Sequence, residues 1–356
     1  MPAPNLERGS GRKRYGARDF ALGSPASNGM LRCTHRMLLA FPLLWAVGAV
    51  AALFYAQDRG IPWATALAVL PAFLLEVSLY FAMGVERLRL RLEKLPPAVV
   101  ATALVAAAVA PYALASLALR NFSWHSLGVI AALAVVSAFW YVAFPHQAAS
   151  DILFLIFIAA VWLTRAIPTL YESPLRTLPL GVLGQLMWFR TGIFAILSVR
   201  RMKNVGFGFW PAAREWKIGA LYFAGLMPVA AAAGWAVHFA SPHLRYAGWE
   251  RTTIIGLATF FGILWVLALG EEFFFRGLLQ QWITGWLRSE WAGLLLAALL
   301  FGFVHLWYQA FPNWRFAALA AIAGVFYGMA YRQARSIRAS MVTHALTVTA
   351  WRLFFS

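Results

Sequence analysis

Long apolar runs, separated by short polar segments, fill the chain from residue 37 onwards. Each run is about 20 residues long, the length that an α-helix needs to cross a hydrocarbon core of ~30 Å. We therefore expect about 10–11 membrane spans and an all-α fold, a polytopic transmembrane helix bundle. The runs cover 37–56, 62–84, 98–119, 126–145, 152–171, 179–198, 218–240, 252–270, 291–311, 316–331 and 339–355.

The composition excludes several classes of protein. Hydrophobic residues make up 62% of the chain and charged residues 12%, against about 25% charged residues in soluble domains. A soluble enzyme or a disordered protein would not have this balance. The one cysteine, Cys33, also excludes an internal disulfide scaffold and a CxxC metal site in this sequence.

The charges are unevenly spread along the chain. Lys and Arg number 30 against 13 Asp and Glu, and they concentrate in every second segment between the apolar runs. The positive-inside rule then predicts a cytoplasmic N-terminus. No basic stripe lies on a soluble domain, so we expect the lipid bilayer and no nucleic acid as a partner.

The chain divides into four parts by composition. Residues 1–36 form a polar, basic segment that we interpret as a flexible cytoplasmic tail. Residues 37–200 are predicted transmembrane helices without an assigned role, and 201–217 form a basic connector. Residues 218–356 hold most of the ionisable groups found inside apolar runs.

Ionisable residues inside spans cost about 2.5–3.5 kcal/mol each on insertion scales and mark candidate functional sites. Glu271 and Glu272 end one apolar run, and Arg276 follows Glu272 by one helical turn, which predicts a Glu272–Arg276 pair. Glu271 points about 100° away and could act as a general base toward water. The alternative is an ion pair at the membrane interface. The full set is Glu76, Arg165, Arg190, His238, Glu271, Glu272, Arg276, His305 and His344.

His305 and His344 lie in two further apolar runs. Taken singly, each is explained by a buried imidazole bonded to a carbonyl group. If both converge with a glutamate in a low-dielectric cavity, they could ligate a metal ion or help to activate water.

At these positions the chain resembles the CPBP family of intramembrane proteases, also called the Abi or CAAX prenyl protease 2-like family, over about residues 218–356. The rest of the chain shows no such resemblance. The motif residues are Glu271, Glu272 and Arg276 of Glu-Glu-x-x-x-Arg, Phe301 and His305 of Phe-x-x-x-His, and His344 of His-x-x-x-Asn.

The resemblance implies an intramembrane endopeptidase of the glutamate or metalloprotease type. Glu271 would activate water, Glu272 with Arg276 would hold the geometry, His344 would orient the water and His305 would stabilise the oxyanion. Val348 stands at the family's Asn position, and Thr347 is the candidate substitute donor. If a metal takes part, it would be zinc, with Glu272, His305 and His344 as ligands. The implied partner is a membrane-associated protein or peptide, with or without a lipid modification. The implied location is a bacterial inner or plasma membrane, which the protein would cross several times.

Two other classes stay open. A proton-coupled secondary transporter could use Glu76, Arg190 and the glutamate pair, although no paired repeat is visible. A non-catalytic membrane scaffold or immunity-like relative would explain Val348. Other intramembrane protease types lack their motifs, since the sequence has no HExxH and no Gly-x-Gly-Asp.

Overall fold

The computed structural model describes residues 42–43, 45–239, 241, 243, 246, 248–309 and 311–355. The predicted tail 1–36 and the first residues of the predicted span 37–56 lie outside this range. The contacts divide the chain into a unit Met1–Gly48, whose described residues are helical, and a unit Ala49–Ser356. The helices and contacts below belong to the second unit.

Helices dominate the described part, which contains no β-strand, so the predicted all-α polytopic fold is confirmed. After helical residues 49–58, eleven described helices of at least seven residues follow. They are α1 (Trp63–Ala82), α2 (Glu86–Leu92), α3 (Pro97–Ala118), α4 (Trp124–Ala143), α5 (Ala148–Leu163), α6 (Gly181–Val199), α7 (Ala213–Ala236), α8 (Trp249–Leu287), α9 (Glu290–Trp307), α10 (Trp314–Ala334) and α11 (Ile337–Phe354).

Eight of these described helices are long and apolar enough to cross a membrane, fewer than the 10–11 spans expected. They are α1, α3, α4 and α6 to α10. The predicted span 152–171 is interrupted, because α5 has 16 residues and Arg165 after it adopts a left-handed backbone conformation. The predicted span 339–355 is helical as α11 but too polar to count among the eight.

Polar side chains at the loop ends set where the C-terminal helices begin. Ser289, Asn313 and Ser336 precede α9, α10 and α11, and the side-chain oxygen of each accepts a backbone N–H two or three residues further on. Such caps satisfy N–H groups that lack a partner within the helix. The caps therefore fix the residues at which the three helices around α8 begin.

Glycines allow α9 and α10 to approach closely. A Cβ atom on Gly302 would lie 2.6 Å from the Ala317 carbonyl oxygen, and one on Gly324 would lie 3.1 Å from the Ala298 Cα. Small residues are the usual means of close helix contact in membranes. The approach brings the middle of α10 next to the polar residues of α8.

Helix α8 is the longest of the described helices, with 39 residues or roughly 58 Å. It contains two π-helical stretches, Ile263–Ala268 and Phe273–Gln280, on either side of a single α-turn, Leu269–Glu272. Short π-helical stretches are rare and often occur at functional sites. The two adjacent glutamates lie on that single turn.

Two ion pairs, one buried and one partly buried, join the N-terminal helices. Arg190 of α6 donates to both carboxylate oxygens of Glu76 in α1, at 2.8 and 2.9 Å, and also donates to the Ala107 carbonyl of α3 at 3.0 Å. Arg200 makes a two-point contact with Asp151 of α5. Glu76 and Arg190, the residues of the transporter hypothesis, thus neutralise each other.

Candidate active site

The Glu272–Arg276 pair predicted from the spacing is present and fully buried. Arg276 Nη1 lies 3.1 Å from Glu272 Oε1, and neither side chain is accessible to solvent. Arg276 Nη2 donates to the Gly324 carbonyl of α10 at 3.1 Å. The guanidinium therefore connects the glutamate turn of α8 to α10.

His344 of α11 lies between the two glutamates. Its Nδ1 is 2.8 Å from Glu272 Oε1 and its Nε2 is 3.8 Å from Glu271 Oε2. The Glu271 side chain is 28% exposed, whereas that of Glu272 is fully buried. One carboxylate is accessible and the other is a buried partner of the histidine.

One oxygen of each carboxylate lacks a protein partner. Glu271 Oε2 and Glu272 Oε2 are buried and have no hydrogen bond to any described protein group. Buried acceptors are costly without a donor, and water is the usual donor in such places. The site therefore has capacity for hydrogen bonds from water or from a substrate.

Aromatic rings fix the position of His344 and Arg276. The Tyr327 ring stacks on the His344 ring, with centroids 4.6 Å apart and planes 14° apart. The Arg276 guanidinium lies 4.5 Å from the centroid of the Phe301 ring and 5.3 Å from that of Tyr327. Sequence reasoning did not assign Tyr327 a role. It lies in the small-residue segment Gly324–Gly328, and nothing in its local pattern marks it as a partner of a histidine 17 positions later.

His305 lies near this cluster and is bonded to its own helix end. Its Nδ1 is 2.6 Å from the Phe301 carbonyl, and the ring is partly exposed. Both histidines contact the Phe301 ring, with centroid distances of 4.6 Å for His305 and 6.0 Å for His344. Phe301 therefore contacts both imidazoles, and among the described residues no hydrogen bond or ion pair joins His305 to either glutamate.

Thr347 is buried but does not present a free hydroxyl proton. Its Oγ1 donates to the Thr343 carbonyl one turn earlier at 2.7 Å. Val348 is partly buried and packs against the core. Thr347 is the residue expected to replace the missing Asn as a donor. Its bond to the Thr343 carbonyl within α11 competes with that role.

The predicted zinc ligands do not form a ligand set. Within the described residues, no group of three or more His, Cys, Asp and Glu is placed to hold a metal ion. A catalytic zinc needs three protein ligands, whereas the Nδ1 of His344 is directed at Glu272 and the Nδ1 of His305 at the Phe301 carbonyl. The arrangement Glu272, His305 and His344 does not fit zinc.

Comparison with known protein families gives a match over the C-terminal segment that holds these residues. The sequence model of the family described as Rce1-like, type II CAAX prenyl endopeptidase Rce1-like, matches residues 253–350. No curated protein and no solved structure matches the chain. The matched segment contains the glutamate pair, both histidines and the rings between them. Through residues 253–350, this multi-pass membrane protein is similar to the Rce1-like family of type II CAAX prenyl endopeptidases.

Proposed function

We propose that this chain is an intramembrane endopeptidase that hydrolyses a peptide bond of a membrane-associated protein or peptide with water activated by Glu271. The observation that carries the proposal is the position of His344, between the accessible carboxylate of Glu271 and the buried carboxylate of Glu272. It is supported by the family match over the same residues.

The water site follows from the separation of two acceptors. The carboxylate of Glu272 can only accept, so the Nδ1 of His344 donates to it and a neutral ring keeps a lone pair on Nε2. Nε2 and Glu271 Oε2 are 3.8 Å apart, too far for a direct hydrogen bond. A water molecule between them can donate one proton to each, which orients its oxygen toward a carbonyl carbon.

The chemical step needs one base and one acid. Glu271 takes a proton from the water while the water oxygen bonds to the carbonyl carbon of the peptide. The tetrahedral intermediate then breaks its C–N bond, and the proton on Glu271 passes to the leaving amine. The products are a carboxylic acid and an amine, and Glu271 returns to its starting state.

Glu272, Arg276 and Tyr327 act as positioning residues in this proposal. Arg276 neutralises Glu272, Glu272 holds the ring tautomer of His344, and Tyr327 restrains the ring plane by stacking. A carboxylate that orients a histidine and fixes its tautomer is a usual arrangement in hydrolytic sites.

His305 is the proposed donor to the oxyanion. Its Nδ1–H donates to the Phe301 carbonyl, because a carbonyl can only accept. Nε2 then donates to an oxyanion only when the ring carries both protons. The proposal therefore includes a cationic His305 at the moment of the reaction, and it uses no step through a metal ion.

The experiment uses the purified full chain in lipid nanodiscs with a library of candidate peptides, each offered with and without a prenyl group. We expect the wild type to cleave at least one peptide and Glu271→Gln to lose about 10²–10⁴ in rate, the usual contribution of a general base. Glu250→Gln, on an exposed residue of the first turn of α8, is the matched control and should keep full activity.

Two outcomes contradict the proposal. Cleavage by Glu271→Gln at the wild-type rate would remove Glu271 as the base. A wild type that folds but cleaves no peptide of the library would favour the non-catalytic scaffold.

A further inference from the structure

The N-terminal helices contact α8 beside the glutamate turn. The Tyr80 hydroxyl of α1 donates to the Trp265 carbonyl at 3.1 Å, inside the first π-helical stretch. Tyr80 is 4% exposed, so this bond is shielded from solvent. Tyr80 lies outside the segment 253–350 that matches the protease family.

A π-helical stretch is paired differently from the α-helix on either side of it. Its hydrogen bonds run from residue i to i+5, so the passage between α and π pairing disturbs the regular partners of the carbonyls nearby. A donor from another helix can satisfy one of these carbonyls. The Tyr80 hydroxyl donates to one carbonyl of the first π-helical stretch, that of Trp265.

The π-helical stretch Ile263–Ala268, called the wide turn below, sets the direction of the side chains that follow it along α8. If Ile263–Ala268 closed to regular α-helix, the turn would lose one residue and the later residues would rotate by about 100° about the helix axis. Glu272 would then leave His344, which is now 2.8 Å away. The π-helical geometry is thus a condition for the two glutamates to face α11.

A second contact from the N-terminal helices lies directly before the two glutamates of α8. Phe189 of α6 lies beside Gly270, where an added Cβ would be 3.6 Å from the ring. Arg190, the next residue, makes the buried pair with Glu76, and Glu76 lies one turn before Tyr80 on α1. The ion pair therefore holds α1 and α6 together at the level where both contact α8.

Two phenylalanine residues, Phe209 and Phe81, hold the ring of Trp265. Trp265 Nε1 donates to the Phe209 carbonyl at 3.0 Å, and the ring packs edge-on against Phe81 at 5.8 Å. The Phe209 ring also contacts Tyr80 at 5.4 Å. Trp265 is thus held at its carbonyl by Tyr80 and at its ring by Phe209 and Phe81.

We infer that the N-terminal helices are part of the active-site scaffold, and that Tyr80 is a positioning residue that holds the wide turn of α8 in the register in which Glu271 and Glu272 face His344. The catalytic part of this inference rests on the proposed function. The structural part, the support of the wide turn by the Tyr80 hydroxyl, does not.

The test compares Tyr80→Phe with Tyr112→Phe in the full chain. Both tyrosines are buried on N-terminal helices, and the Tyr112 hydroxyl donates to the Ser123 carbonyl and accepts from the Ser123 N–H, each at 3.2 Å, away from α8. Each change removes one hydroxyl and keeps the ring. Tyr112→Phe therefore controls for the general loss of a buried hydrogen bond.

Two readouts are expected to change only in Tyr80→Phe. Backbone hydrogen exchange over residues 264–272 should become faster, and kcat on a cleaved peptide should fall about three- to tenfold with an unchanged KM, the range of one net hydrogen bond. Tyr112→Phe should match the wild type in both.

The exchange measurement needs no substrate, so it separates the inference from the proposed function. Wild-type exchange over 264–272 in Tyr80→Phe, or equal acceleration in Tyr112→Phe, would overturn the inference even if the protein proves to be a protease. Faster exchange in Tyr80→Phe, with no cleavage by the wild type, would support the role of Tyr80 and contradict the proposed function.

Discussion

Glu272 and His344 are in hydrogen-bond contact at 2.8 Å, although 72 residues separate them in the chain. Bulk water does not compete for this hydrogen bond, since Glu272 is fully buried and His344 is 3% exposed. The contact joins α8 to α11 and sets which nitrogen of His344 faces Glu271. It depends on the charge of Glu272, which Arg276 balances from the next turn.

Removal of the buried guanidinium should destabilise the protein. Arg276→Ala leaves Glu272 with an uncompensated charge in a buried place, which typically costs about 3–5 kcal/mol. Arg276→Lys keeps the charge but loses the planar donor set, so its effect should be smaller. Thermal unfolding in detergent measures both. Arg332→Ala, which removes a partly exposed partner of Glu290, is the control and should cost less than about 1 kcal/mol. Equal melting temperatures for wild type and Arg276→Ala would contradict the buried pair.

Tyr327 should matter for its ring more than for its hydroxyl. Stacked aromatic contacts contribute about 0.5–1.5 kcal/mol beyond the area they bury, and Tyr327 stacks on the His344 ring. We expect Tyr327→Phe to keep most of the hydrolytic rate and Tyr327→Leu to lose about tenfold. Steady-state rates on one cleaved peptide decide this, and an equal loss in both variants would transfer the role from the ring to the hydroxyl.

Thr347 should contribute less to the rate than a dedicated oxyanion donor. Loss of one such donor typically costs about 10²–10³ in rate, but the Thr347 hydroxyl already donates to the Thr343 carbonyl. We expect Thr347→Val to reduce hydrolysis by less than about tenfold, and Thr347→Ser to act like the wild type. A 10²-fold loss in Thr347→Val, restored in Thr347→Ser, would show that the hydroxyl turns toward the substrate during the reaction.

The Glu76–Arg190 pair should prove structural. Either Glu76→Ala or Arg190→Ala leaves one buried charge without its partner, with an expected cost of about 3–5 kcal/mol. The double variant should recover part of that loss, because it removes both charges. Melting temperatures of the four proteins give the coupling directly. A transporter role predicts instead that proton-driven solute uptake into vesicles disappears in Glu76→Gln, and such uptake by the wild type would reopen that hypothesis.

The class of the protein followed from the sequence alone, because the cost of placing apolar side chains in water is a property of composition and run length. Apolar runs of about 20 residues predicted an all-α membrane bundle, and the structure confirms it. The Glu272–Arg276 pair was equally predictable, since an i, i+4 relation is local to one helix. The ends of the runs were less certain, because hydropathy does not record where a left-handed residue such as Arg165 stops a helix.

Only the tertiary structure decided how the candidate site is assembled. The 2.8 Å contact of His344 with Glu272, the stacked ring of Tyr327 and the contact of Phe301 with His344 depend on how α8, α9, α10 and α11 pack. The bond from Tyr80 to Trp265 joins residues 185 positions apart across a π-helical stretch that no periodicity predicts. Sequence spacing restricts residues within one helix turn, whereas contacts between helices depend on packing, which glycines and buried ion pairs distant in the chain control.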